Sequence, residues 1–231
     1  MINQSSARAL ALGIVLYPNL NLLSFTASYE VFSYLPDARV YLLAPTLDPI
    51  HSESGIRLFP NTTFAKSPNL DVLFVPGGLG INARLEDTAF LNFLETQGKH
   101  ARYVTSVCTG SLLLAGAGLL QGYRATTSWS ALELLAMFGV ETVAERVVID
   151  RNRITGGGVT AAIDLGLALA AKLYGEMVAQ EIQLEMEYNP TPPFLGGSSQ
   201  TANPLVLARV QAQGQPLFEM RRQIIQRIVG M

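Results

Sequence analysis

Apolar residues along this chain come in short unbroken runs rather than in alternation with polar ones. Ala9 to Leu16, Arg39 to Ala44, Leu70 to Val75 and Arg102 to Val107 are such runs, rich in Leu, Val, Ile and aromatic residues. Their length and continuity predict strands buried on both faces of a parallel sheet. Turn residues close three of them: Tyr17-Pro18-Asn19, Pro45 and Pro76-Gly77-Gly78. Helical patterns are predicted over Leu22 to Leu35, Thr88 to Gly98, the segment after Cys108, Ser130 to Phe138, Val159 to Tyr174 and Glu176 to Tyr188. Thr46 to Pro68 reads as loop with minor strands, and Arg124 to Thr127 as a short strand. Val140 to Ile149 with Arg153 to Thr155 reads as a hairpin across Asp150-Arg151-Asn152. Strands alternating with helices predict an α/β fold, a three-layer sandwich with a mostly parallel central sheet and helices on both faces.

Residues 8–190 are read as the core of one domain spanning 1–231, with 191–231 a C-terminal arm and helix; Met1 to Ala7 is a polar leader without periodicity. The prolines and glycines from Pro190 to Asn203 mark the arm. Pro204 to Met231 carries an amphipathic pattern, interrupted at Gly214 to Pro216, that suits a packing or dimer-covering helix. No helix-turn-helix module is expected after it.

Composition narrows the function classes. With 49% hydrophobic and 15% charged residues the chain should fold compactly with part of its surface covered by a partner subunit. Lys and Arg number 16 against 18 Asp and Glu, a net charge of -2, which suits neither nucleic acid nor an anionic membrane. One cysteine forms no internal disulfide, and His51 and His100 stand apart from any ligand cluster, so no metal is expected. Ala9 to Tyr17 follows Arg8 but lacks a small-residue cleavage site, and the longest apolar stretch, Val159 to Tyr174, contains Asp164 and Lys172. A soluble cytoplasmic protein without a cofactor is the expectation.

The chemistry centres on the one cysteine. The run Arg102 to Val107 breaks at Cys108-Thr109-Gly110 and continues as a helix-compatible segment, which predicts strand, sharp turn and helix with Cys108 at the bend. The following helix should aim amides and its positive end at the sulfur and favour thiolate. Pro76-Gly77-Gly78 and Thr155-Gly156-Gly157-Gly158 end strands on the same sheet edge. The amides of Thr109 and Gly78 are therefore candidate donors to an anion forming at Cys108. The Gly156 triplet lacks the spacing of a nucleotide-binding loop and is assigned to close packing beside the cysteine.

Val75-Pro76-Gly77-Gly78, Thr105-Ser106-Val107-Cys108-Thr109-Gly110-Ser111, Arg124-Ala125-Thr126-Thr127-Ser128-Trp129 and Thr155-Gly156-Gly157-Gly158 with Asp164 resemble the ThiJ/PfpI superfamily of the class I glutamine amidotransferase-like fold. Pro36-Asp37, Glu187-Tyr188 and Pro192-Pro193-Phe194 are most similar to its bacterial isonitrile hydratases. The resemblance implies a flavodoxin-like homodimer acting on a small molecule. A cysteine, here Cys108, attacks an isonitrile carbon, and water converts the thioimidate to an N-substituted formamide. It implies that Thr109 and Gly78 line the anion hole, and that Ser24 stands where the family has an acidic proton shuttle. Ser128 likewise replaces a histidine before Trp129.

Loss of general acid-base help typically costs ~10²- to 10⁴-fold in rate. Glu30, six residues after Ser24, lies roughly 240° around a helix from it and is read as a structural or dimer residue, with Asp164 as a hydrogen-bonding strut. The alternative function is a non-catalytic homologue that binds a small molecule or senses oxidation through Cys108.

Overall fold

The computed structural model describes residues 9–230; the leader Met1 to Ala7 lies outside them. The chain runs β1 (Leu10–Val15), α1 (Leu22–Ser33), β2 (Ala38–Ala44), β3 (Ile50–His51), β4 (Arg57–Leu58), β5 (Thr62–Thr63), β6 (Val72–Val75), α2 (Ile81–Leu85), α3 (Thr88–His100) and β7 (Tyr103–Val107). It continues through α4 (Gly110–Gly116), β8 (Arg124–Ala125), α5 (Leu132–Ala136), β9 (Glu141–Thr142), β10 (Val147–Asp150), β11 (Arg153–Gly156), α6 (Ala161–Tyr174), α7 (Glu176–Glu185) and α8 (Pro204–Val229).

Seven strands form the central sheet in the order β10-β11-β7-β6-β1-β2-β5, and every pair in it but β10–β11 is parallel. The expected α/β architecture is therefore the one observed. In β1, β6 and β7 nearly every residue is buried, as strands covered on both faces require. Helices α1, α6 and α7 pack together in one layer, while α2, α3, α4, α5 and α8 form the other. Gly166 lets α1 approach α6: a Cβ there would lie 2.9 Å from Val31.

Several local expectations are corrected. Ile81–Leu85 is a helix that the glycine-rich stretch before it concealed. Val140 to Ile149 is not one hairpin arm, because Glu141–Thr142 pairs with Arg124–Ala125 in a separate ladder and only Val147–Asp150 faces β11. The interruption expected at Gly214 to Pro216 is absent, and α8 is continuous. Asn203 caps it by accepting from Leu205 N–H at 2.9 Å, Pro204 occupies its first turn, and beyond Pro216 the buried Arg221, Ile224 and Ile225 hold it to the body. Tertiary anchoring thus outweighs the lost backbone bond at Pro216.

Candidate active site

The carboxyl ends of β6, β7 and β11 lie side by side, with Val75 opposite Ser106 and Val107 opposite Gly156. Cys108 leaves β7 with φ 55°, in the left-handed region that non-glycine residues seldom occupy. The strain is held from three sides. Its N–H donates to Gly156 O at 3.0 Å and Gly157 O at 2.7 Å, while its carbonyl accepts from Thr127 Oγ1 at 2.7 Å. Below the bend, Ser111 Oγ meets Ser106 Oγ at 2.9 Å and donates to Thr126 O at 2.7 Å, which ties α4 to both neighbouring segments. The strand-turn-helix elbow is thus present at the predicted position.

The glycine turn after β6 packs directly on the elbow. A Cβ at Gly77 would lie 2.7 Å from Thr109 N and 2.9 Å from Cys108 Cβ, so only glycine lets the two segments touch. Gly78 has φ 149° and pairs as a bridge with Leu20. Asn21 N–H donates to Gly77 O at 2.8 Å, joining the start of α1 to the same turn. Tyr17, fully buried, donates its hydroxyl to Pro76 O at 2.7 Å.

The structure brings Cys108, Thr109 and Gly78 together and corrects two details. Gly78 N–H is engaged, donating to Thr109 Oγ1 at 3.1 Å, so in this state it is no open donor. The sulfur is not biased toward thiolate either. Burial, the largest effect, pushes the Cys108 thiol above its ordinary value; Thr109's backbone and hydroxyl and the charge of Arg221 pull it down, and Glu53 pushes it up. This direction runs against the expected bias toward thiolate: α4 has only seven residues, and burial is the largest effect on the thiol.

Ser24 sits in the first turn of α1, whose start is tied to the glycine turn, and is wholly inaccessible. Its N–H donates to the capping Asn21 Oδ1 at 2.9 Å, but its Oγ has no hydrogen-bond partner among the described residues. Glu30 is exposed on α1, and its carbonyl accepts from Ser33 Oγ at 2.7 Å. Asp164 is a strut as expected, ion-paired to Arg146 Nη2 at 2.6 Å and accepting from Tyr188 OH at 3.1 Å. Among the described residues no group of three or more His, Cys, Asp and Glu is placed to hold a metal ion, and no helix is long and apolar enough to cross a membrane.

Two charged residues escaped the sequence reading. Arg221 of α8 is 8% exposed; its Nη2 donates to Gly78 O at 3.2 Å and its Nε to Asn82 Oδ1 at 3.0 Å. Glu53, from the turn between β3 and β4, accepts from Asn21 Nδ2 and from Leu79 N–H at 3.3 Å. The one sequence signal for Arg221 was its place among Met220, Ile224 and Ile225 on the apolar side of α8.

A nucleophile elbow at a parallel sheet's edge, closed by a glycine turn, is a class of site, and the chain belongs to the DJ-1/PfpI family, whose model matches residues 13–172. It is 47% identical over 219 residues to an isonitrile hydratase of Pseudomonas putida, covering 95% of this chain and 96% of that one. Among solved structures, a THiJ/PfpI family protein from Pseudomonas syringae superposes with a TM-score of 0.91 at 37% identity, covering 97% of this chain and 95% of its own. The HTH-type transcriptional regulator GbdR of Pseudomonas aeruginosa is 30% identical over 180 residues, which are 74% of this chain and 49% of the regulator.

Proposed function

We propose that this protein is an isonitrile hydratase-like enzyme with a weakened proton relay. The observation that carries the reading is the 47% identity to an isonitrile hydratase across 95% of the chain. The strained Cys108 elbow beside Thr109 supports it. In this reading the Cys108 sulfur bonds to the terminal carbon of R–N≡C and the thiol proton passes to that carbon, giving the thioimidate R–N=CH–S. Water then adds to the carbon, the C–S bond breaks, the thiol regains its proton and R–NH–CHO leaves. Thr109 holds the sulfur through its backbone and hydroxyl, and Ser24 occupies the place of the acid.

A buried hydroxyl without a neighbouring base moves protons poorly, so turnover of cyclohexyl isocyanide should be slow, Cys108→Ala should abolish it, and Ser24→Asp should raise it by ~10²-fold or more. Fast hydration by the unmodified protein, or no gain with Ser24→Asp, would overturn the weakened-relay reading. The second reading, a non-catalytic small-molecule binder, draws on the unpartnered Ser24 and the raised Cys108 thiol; it predicts no hydration by either form. An oxidation sensor is the less favoured variant, since oxidation follows thiolate character.

The homodimer belongs to the proposal too. Phe194, Leu195 and Leu205, each more than 80% exposed, supply apolar surface for a second copy, which light scattering would weigh directly.

A further inference from the structure

Three arginines lie close together on α8, and two of them are conventionally paired. Arg222 meets Glu219 and Arg227 meets Glu86, each at 2.6 Å on the surface. Arg221, the buried one, has no ion pair among the described residues. It spends two of its five N–H groups, on Asn82 Oδ1 and Gly78 O, and among the described residues no acceptor meets Nη1. Glu53 acts on it through its charge, and burial lowers its pKa without neutralising it. A mostly buried guanidinium has lost much of its hydration, and the N–H groups it has left open toward the cavity it lines suit an anion from outside the chain.

Arg221 also lines a cavity of about 560 Å³ between α5 and α8. That volume is in the range of small-molecule sites. Trp129, Leu134, Val210, Leu217 and Phe218 give it an apolar wall, with Arg221 as its one cation. Glu133, also at the cavity, and Glu53, facing Arg221, disfavour a second negative charge on the occupant. Through Gly78 O the same guanidinium reaches the turn whose N–H is bonded to Thr109, so the cavity's charged end adjoins the cysteine site.

We propose that this cavity binds a small organic monoanion, an apolar body ending in a carboxylate that takes the free fork of Arg221. Planar two-point pairing is the geometry in which guanidinium and carboxylate match best. Joined to the hydratase reading, on which this one step rests, the inference makes isonitriles bearing a carboxylate the preferred substrate class.

Calorimetric titration of the full chain with cyclohexanecarboxylate and with cyclohexanecarboxamide tests the site. The acid should bind at least 10-fold tighter than the amide. Arg221→Met should abolish the difference, and Arg221→Lys should retain part of it. Gly214→Leu should weaken both ligands by filling the cavity from α8; a Cβ at Gly214 meets nothing, so this variant tests the cavity without disturbing the contacts of Arg221. Equal affinities, an acid preference that survives Arg221→Met, binding untouched by Gly214→Leu, or no binding of either compound would each overturn the site. The substrate class is read separately, from KM for an ω-isocyano carboxylate against its methyl ester, expected at least 10-fold lower for the acid. Hydration of neither compound sinks the hydratase reading and leaves the titration to decide the site; equal KM values overturn the substrate class alone.

Discussion

Replacing Ser24 by alanine should make this protein more stable. Ser24 is completely buried and its Oγ is unpartnered, while its N–H is satisfied by Asn21, so the substitution removes one unpaired polar atom and leaves the helix cap in place. An unpartnered buried hydroxyl forfeits its hydration, at about 1–3 kcal/mol. The void left by one oxygen, at about 24 cal/mol per Å³, returns only ~0.3 kcal/mol of that. The net gain is about 0.7–2.7 kcal/mol. For a chain of this length each kcal/mol moves the thermal midpoint by about 2–4 °C, so Ser24→Ala should melt about 1–11 °C higher. Urea denaturation at fixed protein concentration should show a higher midpoint with unchanged slope. A lower midpoint would refute the reasoning, because it would mean that in solution the hydroxyl holds a hydrogen bond worth more than its burial costs.

Alkylation of Cys108 by iodoacetamide should titrate above the free-thiol reference of about 8.5, and Arg221→Met should move the midpoint further up, since the guanidinium charge pulls this pKa down. The native state therefore keeps a proton that the unfolded chain loses first. Relative to Cys108→Ala, stability should fall as pH rises from the unfolded thiol's pKa through the raised folded one, visible as a pH-dependent difference in urea midpoints. Gly110→Ala would drive a Cβ into Val75 O and to 2.8 Å from Pro76 O, both backbone atoms; a loss of about 1–3 kcal/mol or more is expected in denaturant titrations. Gly214→Ala, in open space within α8, should instead add about 0.5–1 kcal/mol and slow hydrogen exchange in that helix.

What the sequence determined by itself are features written in contiguous residues. Unbroken apolar runs specify strands buried on both faces, and alternation with helices leaves the parallel sandwich as their arrangement. The elbow is equally local, since a strand ending in Cys108-Thr109-Gly110 before a helix fixes where the sulfur stands relative to the sheet edge.

Tertiary structure decided the electrostatics. Whether Cys108 is thiol or thiolate depends on how much water its neighbours exclude, and the neighbours come from five separate segments: the turns at Glu53, Gly77 and Gly156, the stretch at Thr127, and α8. Arg221 meets Gly78 across 143 positions of chain, a proximity no local pattern encodes, and Glu53 arrives from a turn that reads only as loop. The continuity of α8 through Gly214 and Pro216 was settled in the same way, by burial of Arg221, Ile224 and Ile225 against the body of the protein. Local propensity amounts to a few kcal/mol at most for such residues, and packing of one apolar face exceeds it.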